Sequence, residues 1–302
     1  MSSPSFQAVC NHILMVEPVE FFANPETMDT NVYQHAQVTL SHEEIFRKAL
    51  AEFRAFRDLL VENDVMVTTV TGTKGSPDSV FPNWASTHRD GRMMLYPMMS
   101  ENRRAERDVA VIEMLSKSYP HITDWSAFED EGLYLEARGS IVSDRQNKRA
   151  YAGLSGRTSR ELVEKWAEHM GYEIEIFDTL SHTGKPVYHT DLVIWIGSTL
   201  AGICSEAIVE SDRDRIVNAL KQTHEVIEFD NTQLQSFCGN ALEVMNKKGE
   251  RFLALSEAAY KALKPEQKAL MEKKFDKLLY APLDTLEAFG GGSARCCLME
   301  LY

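Results

Sequence analysis

Hydrophobic positions repeat at helical spacing in five stretches of the chain. In the first, Ser41 and Glu44 form a capping box ahead of apolar residues spaced three or four apart. A second capping pattern, Thr158 with Glu161, precedes another such stretch. The spacing therefore predicts a helix after Ser41 and four more, over residues 101–115, 158–166, 212–220 and 256–263.

Short apolar runs between the predicted helices indicate strands. The run from Tyr172 to Phe177 alternates strictly and predicts one solvent-facing side, whereas 192–196 does not alternate and should be buried on both sides. Further strands are predicted over 65–70, 93–96, 225–229, 252–255 and 297–301. Strands and helices interleave throughout, which predicts an α/β chain and suits about five strand–helix modules around an axis.

The composition is that of an ordinary globular domain. The chain has 302 residues, of which 44% are hydrophobic, and it shows neither a linker nor a low-complexity tract. We therefore expect a single domain over 1–302. Its formal net charge of -13 would repel phosphate backbones and anionic lipid, so nucleic acid and membranes are poor partners, while a cationic small molecule suits it.

Targeting and cysteine patterns predict a cytoplasmic protein. Residues 1–5 are polar and lack the pattern of a signal peptide, and the longest apolar run, 192–204, is too short to span a membrane. Five cysteines without CxxC spacing argue against a disulfide framework and against a zinc site. We therefore expect free thiols and no metal.

Three consecutive glycines precede Arg295 and Cys296 near residue 300. Glycines let another group approach the backbone closely, and the neighbouring Arg295 could lower the pKa of the Cys296 thiol and make it a nucleophile. The alternative is a glycine turn before a buried strand with two small core cysteines. Along such a strand Cys297 would point away from Cys296 and pack in the core.

Two further sites carry polar groups next to apolar runs. In an extended segment His189 and Asp191 point to the same side, where the histidine could act as acid and base. Glu136 lies among apolar residues before a glycine, and the turn-rich stretch 78–84 would suit a loop that faces a ligand. The alternatives are a structural histidine, a surface glutamate and a self-packed loop. The other eight histidines lack such surroundings, and we expect them to be structural or solvated.

Together these segments resemble the guanidine-modifying enzymes of the pentein superfamily: arginine deiminases, dimethylarginine dimethylaminohydrolases and amidinotransferases. The likeness is greatest to the bacterial branch of citrulline-utilisation hydrolases. It extends along the whole chain and rests on segments 15–18, 24–25, 80–83, 95–98, 135–136, 188–191, 239–243 and 290–296.

The resemblance implies five strand–helix modules around a pseudo-fivefold axis, with covalent catalysis at the centre and neither metal nor cofactor. It assigns Cys296 as the nucleophile, His189 as the general acid and base, and Glu136 as the carboxylate that orients the histidine or binds substrate nitrogens. Asp191 matches a second carboxylate that pairs with a guanidinium. Further residues expected to bind substrate are Asn83, Arg138 and Asn240.

The substrate stays open at this point. Deiminases carry an aspartate in the segment matching 81–84, and the neutral Asn83 favours a ureido group such as that of citrulline, whereas Asp191 favours arginine. Relatives in the branch have Glu-Gly-Thr-Gly where this chain has Glu136-Ala137-Arg138-Gly139, so Arg138 adds a cation.

By charge and neighbourhood, Arg92, Arg138 and Arg145 could bind the α-carboxylate of the substrate. The implied function is cysteine-dependent hydrolysis of a guanidino or ureido amino acid. The alternatives are amidino transfer to an acceptor amine and a non-catalytic binding scaffold, the latter disfavoured because Cys296, His189 and Glu136 are all present.

Overall fold

The computed structural model describes residues 9–34 and 40–302, and within them the chain forms five sheets of three strands each. Residues 1–5 and His35, considered above, lie outside the described residues. The strands are β1 His12–Glu17, β2 Met66–Thr71, β3 Ala85–Thr87, β4 Arg92–Leu95, β5 His121–Asp124, β6 Val142–Asp144, β7 Arg149–Gly153, β8 Glu173–Phe177, β9 Ile194–Ile196, β10 Leu200–Ile203, β11 Glu225–Glu228, β12 Leu242–Met245, β13 Arg251–Ser256, β14 Lys277–Ala281 and β15 Met299–Glu300.

All five sheets have the same topology. The central strand pairs antiparallel with one short strand and parallel with the strand that follows the next helical segment, as in β3–β4–β5. Four sheets use three consecutive strands. In the other, the short strand is β15, which pairs with β1 in the register Ile13 to Glu300. The five modules expected from the sequence are therefore confirmed.

Helices provide the crossovers that a parallel strand pair requires. α1 connects β1 to β2, and helical segments occupy the same place in the other four modules. The helices are α1 His42–Glu62, α2 Glu101–Arg104, α3 Val109–Ser116, α4 Ala137–Ser140, α5 Arg160–Met170, α6 Glu210–Lys221, α7 Asn231–Gln235, α8 Glu257–Ala262, α9 Pro265–Lys274 and α10 Asp284–Gly290.

α1 forms as its sequence predicts. The side chain of Ser41 accepts a hydrogen bond from the Glu44 backbone N–H, and the Glu44 carboxylate accepts one from the Ser41 N–H, which completes the capping box. The apolar stripe that includes Ile45, Phe53 and Leu60 is fully buried in the largest core cluster. Burial of that stripe holds α1 against its sheet.

Two helix predictions are wrong in detail. Residues 101–115 form two helices, because the Asp108 carboxylate accepts hydrogen bonds from the Ala110 and Val111 N–H groups and begins a new helix there. Thr158 caps no helix, because its hydroxyl donates to the Ser140 hydroxyl at 2.8 Å in the interior. α5 follows Ser159 instead.

Two strand predictions are too long. The first residues of the predicted 192–196 and 297–301 strands belong to 3₁₀ turns, Thr190–Leu192 and Arg295–Cys297. Cys296 and Cys297 thus share one tight turn, and the strand argument that set them on opposite sides is wrong. Cys297 is nevertheless fully buried in the core, as expected.

The short antiparallel strands bring neighbouring sheets together in the middle of the molecule. β15 contacts β3, and β9 contacts both β6 and β12. Within the described part of the chain, no helix combines the length and apolar character needed to cross a lipid bilayer.

Candidate active site

A small cavity opens beside the Cys296 thiol; we call it the Cys296 cavity. Aromatic rings and glycines form its apolar wall, namely Phe81, Tyr188, Gly290 and Gly292. Its polar lining includes Asp78, Asn83, Arg103, Arg157, His189 and Cys296. The structure therefore brings together residues more than 200 positions apart, among them three that the sequence singled out: Asn83, His189 and Cys296.

The glycines ahead of Cys296 are required by close packing. Gly291 has a φ of 64°, and a Cβ there would lie 2.5 Å from Oδ1 of Asn31. The Asn31 side chain also donates to the Gly290 carbonyl at 3.0 Å. The glycine run therefore lets the loop carrying the thiol pack directly against the cavity wall.

Two polar side chains contact the Cys296 sulfur. The thiol donates to Oδ2 of Asp191 at 3.5 Å, and Nδ2 of Asn240 donates to the sulfur at 3.3 Å. Asn240 also accepts from the Arg295 N–H at 3.0 Å and donates to the Asp191 carbonyl at 2.9 Å. Asn240 thus holds the loop that carries the Cys296 thiol, which we call the thiol loop. These contacts favour a positioning role for Asn240 over substrate binding.

The surroundings of the Cys296 thiol favour its neutral form. Burial, aided by the Asp191 carboxylate, raises the pKa of Cys296 to about 12. The expectation that Arg295 makes it a thiolate is wrong, because the Arg295 guanidinium turns away to Glu300, at 2.9 Å, and to the Leu298 carbonyl. Among the arginines, Arg138 opposes this rise in pKa.

His189, in the lining of the Cys296 cavity, forms a buried pair with Glu136. Nε2 of His189 lies 2.8 Å from Oε2 of Glu136, whose other oxygen accepts from the Met99 N–H at 3.1 Å. The guanidinium groups of Arg103 and Arg157 approach Oε2 at 3.6 and 3.7 Å.

Charge compensation decides the ionisation of this pair. Burial would raise the pKa of Glu136, but Arg157, the His189 hydrogen bond and Arg103 outweigh it and hold the pKa well below its usual range. Burial lowers the pKa of His189 despite Glu136. The pair therefore consists of an ionised carboxylate and a neutral imidazole, and the remaining ring nitrogen, Nδ1, has no protein partner.

Two buried carboxylates keep an oxygen without a protein hydrogen bond, Oδ1 of Asp78 and Oδ1 of Asp191. Asp78 lines the cavity, and its other oxygen accepts from Asn24 at 2.8 Å and from Thr27 at 3.2 Å. Asn83, a few residues further on, also lines the cavity with Oδ1 unpartnered. The stretch 78–84 was predicted to face a ligand, but the prediction assigned substrate binding to Asn83 and not to Asp78.

The arginines expected to bind a substrate carboxylate lie elsewhere. Arg138 donates to the Pro82 and Cys296 carbonyls beneath the thiol loop. Arg92 pairs with Asp90, and Arg145 stacks over Tyr302. Arg103 and Arg157 line the Cys296 cavity instead. Neither lies in a recognisable motif, so sequence reasoning had no signal for them.

Comparison with known families gives one match over most of the chain. The model described as "N,N dimethylarginine dimethylhydrolase, eukaryotic" matches residues 17–302. No curated protein sequence matches the chain significantly.

Within residues 9–34 and 40–302, no group of three or more histidine, cysteine, aspartate or glutamate side chains is arranged to hold a metal ion.

Solved structures share the fold at low sequence identity. The N-terminal domain of ArgZ, an arginine dihydrolase from the ornithine–ammonia cycle in cyanobacteria, bound to its substrate, is 16% identical with a TM-score of 0.76, and the match covers 96% of this chain and 97% of that one. Unliganded AgrE is 17% identical with a TM-score of 0.76, but the match covers 96% of this chain and only 39% of AgrE.

A dimethylarginine dimethylaminohydrolase variant, as an adduct with S-methyl-L-thiocitrulline, is 16% identical with a TM-score of 0.65, and the match covers 97% of this chain and all of that one. These likenesses show the five-module α/β fold of the penteins.

Proposed function

The chain belongs to the family described as "N,N dimethylarginine dimethylhydrolase, eukaryotic", a family of hydrolases, and on that basis we propose that it is a cysteine-dependent hydrolase of guanidino amino acids. The substrate is arginine or a methylated arginine. Water replaces the terminal nitrogen of the guanidino group, which leaves as ammonia or a methylamine, and citrulline is the product.

One observation carries the choice of substrate. The thiol of Cys296 lies in a cavity with Asp78 and in contact with Asp191, and each carboxylate has an unpartnered oxygen. A guanidinium offers N–H donors and positive charge to both, whereas a ureido group is neutral and has a carbonyl oxygen that carboxylates would repel. Asp78 thus supplies the acidic group that Asn83 lacks, and it favours arginine over citrulline.

The reaction follows from the positions of these groups. The carboxylates of Asp78 and Asp191 bind the guanidinium nitrogens and hold the guanidinium carbon near Sγ of Cys296. As the sulfur attacks, the thiol proton passes to His189, and a tetrahedral adduct forms. His189 then passes this proton to the terminal nitrogen, which leaves as the amine, so that a covalent amidino-thiol intermediate remains. His189 then takes a proton from water, which attacks the same carbon. Collapse of that adduct expels the sulfur and releases citrulline.

Other residues orient these groups. Glu136 accepts from the His189 ring and so fixes its orientation. Arg157 lines the cavity and is held over the Tyr188 ring at 4.7 Å with donors to Thr30. We assign it the α-carboxylate of the substrate. The ArgZ domain covalently bonded to a reaction intermediate and the AgrE complex with L-arginine support such a reaction in this fold.

Product analysis by mass spectrometry tests the proposal, with arginine, dimethylarginine and citrulline incubated in parallel. We expect citrulline from arginine or dimethylarginine, no reaction in Cys296→Ala, and full activity in the matched control Cys297→Ala. Full activity in Cys296→Ala would overturn the cysteine mechanism. Ornithine formed from added citrulline would overturn the substrate assignment, and a guanidino product formed from arginine and glycine would show transfer in place of hydrolysis.

A further inference from the structure

A second cavity, of about 200 Å³ and open to solvent, lies between the β3–β4 and β6–β7 turns. Four cationic side chains line it: Arg89, Arg92, Arg145 and Lys148. We call it the cation cavity. It shares no lining residue with the Cys296 cavity. In a chain with a net charge of -13, such a concentration of positive charge is unexpected from composition.

Three of these cations lack an acidic partner. Arg92 pairs with Asp90 at 2.7 Å. Within the described residues, Arg89, Arg145 and Lys148 form no ion pair. Arg145 and Arg89 make only long polar contacts, Arg145 with Nδ1 of His88 and Arg89 with the Val9 carbonyl, both at 3.4 Å.

Two acidic groups act on this cavity, and both are already engaged: Asp90 lines it and pairs with Arg92, and Glu300 lies outside its lining. Glu300 raises the pKa of Arg145 and so acts on it electrostatically. Its two carboxylate oxygens, however, are bound by Arg295 at 2.9 Å and by the Tyr302 hydroxyl at 2.8 Å. The positive charge of the cation cavity therefore faces open space.

Tyrosine rings contact three of the cations, and the Arg89 guanidinium lies 5.4 Å from the centroid of the Tyr302 ring. The Arg145 guanidinium lies over the Tyr302 ring at 4.0 Å, and the Lys148 ammonium over the Tyr172 ring at 4.6 Å. A ring face attracts a cation without cancelling its charge. The tyrosines thus orient Arg145 and Lys148 and leave their full charge for a ligand.

His88, next to Arg89 in sequence, lies in the electrostatic field of these cations. Burial, then Arg145 and Arg92, lower the pKa of His88 to about 3. His88 is therefore neutral at physiological pH and presents Nδ1 to Arg145 as an acceptor.

We propose that the cation cavity is a binding site for a diphosphate group. Three cations without an ion-pair partner in the described part of the chain complement the several negative charges that a diphosphate carries at neutral pH. Arginine forks and a lysine ammonium are the usual donors to phosphate oxygens. The ligand is therefore inorganic pyrophosphate or a molecule with a terminal diphosphate, such as a nucleoside diphosphate.

Calorimetric titration of the whole protein with inorganic pyrophosphate, and separately with ADP, tests this site. We expect binding that Lys148→Met and Arg89→Met each weaken about tenfold, the loss of one charge-assisted contact. Lys268→Met is the matched control, because Lys268 also lies over a tyrosine, Tyr260 at 4.4 Å, outside any cavity described above. It should leave binding unchanged. Equal affinities for pyrophosphate and ADP would show that the site recognises the diphosphate group alone. Tighter binding of ADP would show that the site also recognises the nucleoside.

Two outcomes would overturn the proposal: no binding of either probe at millimolar concentration, or equal losses in Lys148→Met and Lys268→Met. Saturating arginine should not displace the probe, since the two cavities share no residue. Displacement by arginine would instead place the anion in the Cys296 cavity. Neither Lys148 nor Arg89 belongs to the proposed catalytic machinery, so hydrolysis of arginine by these variants confirms that they are folded.

Discussion

The imidazole of His189 lies directly against the α-carbon of Gly139. A Cβ on Gly139 would stand 2.6 Å from Nδ1 and 2.7 Å from Cε1 of the ring. The glycine thus fixes the position of His189 from one side, while Glu136 holds it from the other through Nε2.

Gly139→Ala is expected to displace the His189 ring and to lower kcat by about a hundredfold. Gly156→Ala is the control, because its Cβ would meet no atom closer than 3.6 Å and its φ is not positive. Steady-state kinetics of the two variants, with circular dichroism to confirm folding, measure the effect. Unchanged kcat in Gly139→Ala would show that the position of His189 is not critical.

Glu136→Gln is expected to reduce kcat by about a hundredfold or more, because an amide cannot hold the imidazole or stabilise its protonated form as a carboxylate does. Glu129→Gln is the matched control, since Glu129 is also a buried carboxylate, paired with Arg107 at 2.6 Å, outside the lining of the Cys296 cavity. If the two variants lost activity equally, general destabilisation would explain the result.

Glu136 should also contribute to stability in a pH-dependent manner. Its pKa is lowered on folding from an ordinary value of 4.5. A lowered carboxyl pKa stabilises the fold fully above pH 4.5, and that contribution is lost as the pH falls below it. Denaturant unfolding should therefore show wild type more stable than Glu136→Gln at pH 7, with a difference that narrows below pH 4.5. A constant difference would contradict the charge pairing with Arg103 and Arg157.

The Cys296 thiol should ionise only when a cation occupies the cavity. Because burial raises the pKa of Cys296 to about 12, ultraviolet difference spectra of wild type against Cys296→Ser should show no thiolate at pH 7 in the free protein. An unreactive amidinium placed between Asp78 and Asp191 should lower this pKa and make the signal appear nearer neutrality. A full thiolate signal at pH 7 without ligand would contradict this account.

Asp78→Asn is expected to raise KM for arginine about tenfold, because one charged contact with the guanidinium is lost. With Asp191 as its only remaining guanidinium-binding carboxylate, the variant should discriminate less against citrulline, so the ratio of kcat/KM values for arginine and citrulline should fall. Asp58→Asn, on the exposed surface of α1, is the control. An unchanged ratio in Asp78→Asn would assign guanidinium recognition to Asp191 alone.

The sequence predicted the repeating architecture well, because amphipathic stretches such as the one that starts after Ser41 carry their own pattern and cap. It predicted less where tertiary contacts decide local structure. The Thr158 hydroxyl, predicted to cap a helix, donates to the Ser140 hydroxyl instead. The backbone at Ala137 adopts a φ of 41°, which alanine seldom takes. No local pattern indicates either feature.

For the site, the order of Glu136, His189 and Cys296 was informative because each lies in a distinctive segment. Arg103, Arg157 and Asp78 were missed because their importance arises from convergence in space. The prediction that Arg295 lowers the pKa of Cys296 was wrong for a similar reason. The two residues are adjacent in sequence, but the Arg295 guanidinium binds Glu300.

The pairing of β15 with β1 sets the order in which the protein can be assembled. On the ribosome β1 is made first, yet the strand that covers one of its edges comes after every other strand in chain order. That edge stays unpaired until β15 is made, and its closure joins residues as far apart in sequence as Ile13 and Glu300, so we expect it to be a slow, late step. Because Cys296 lies just before β15, catalytic competence should emerge in refolding only with this closure, after the four sheets built from consecutive strands have formed.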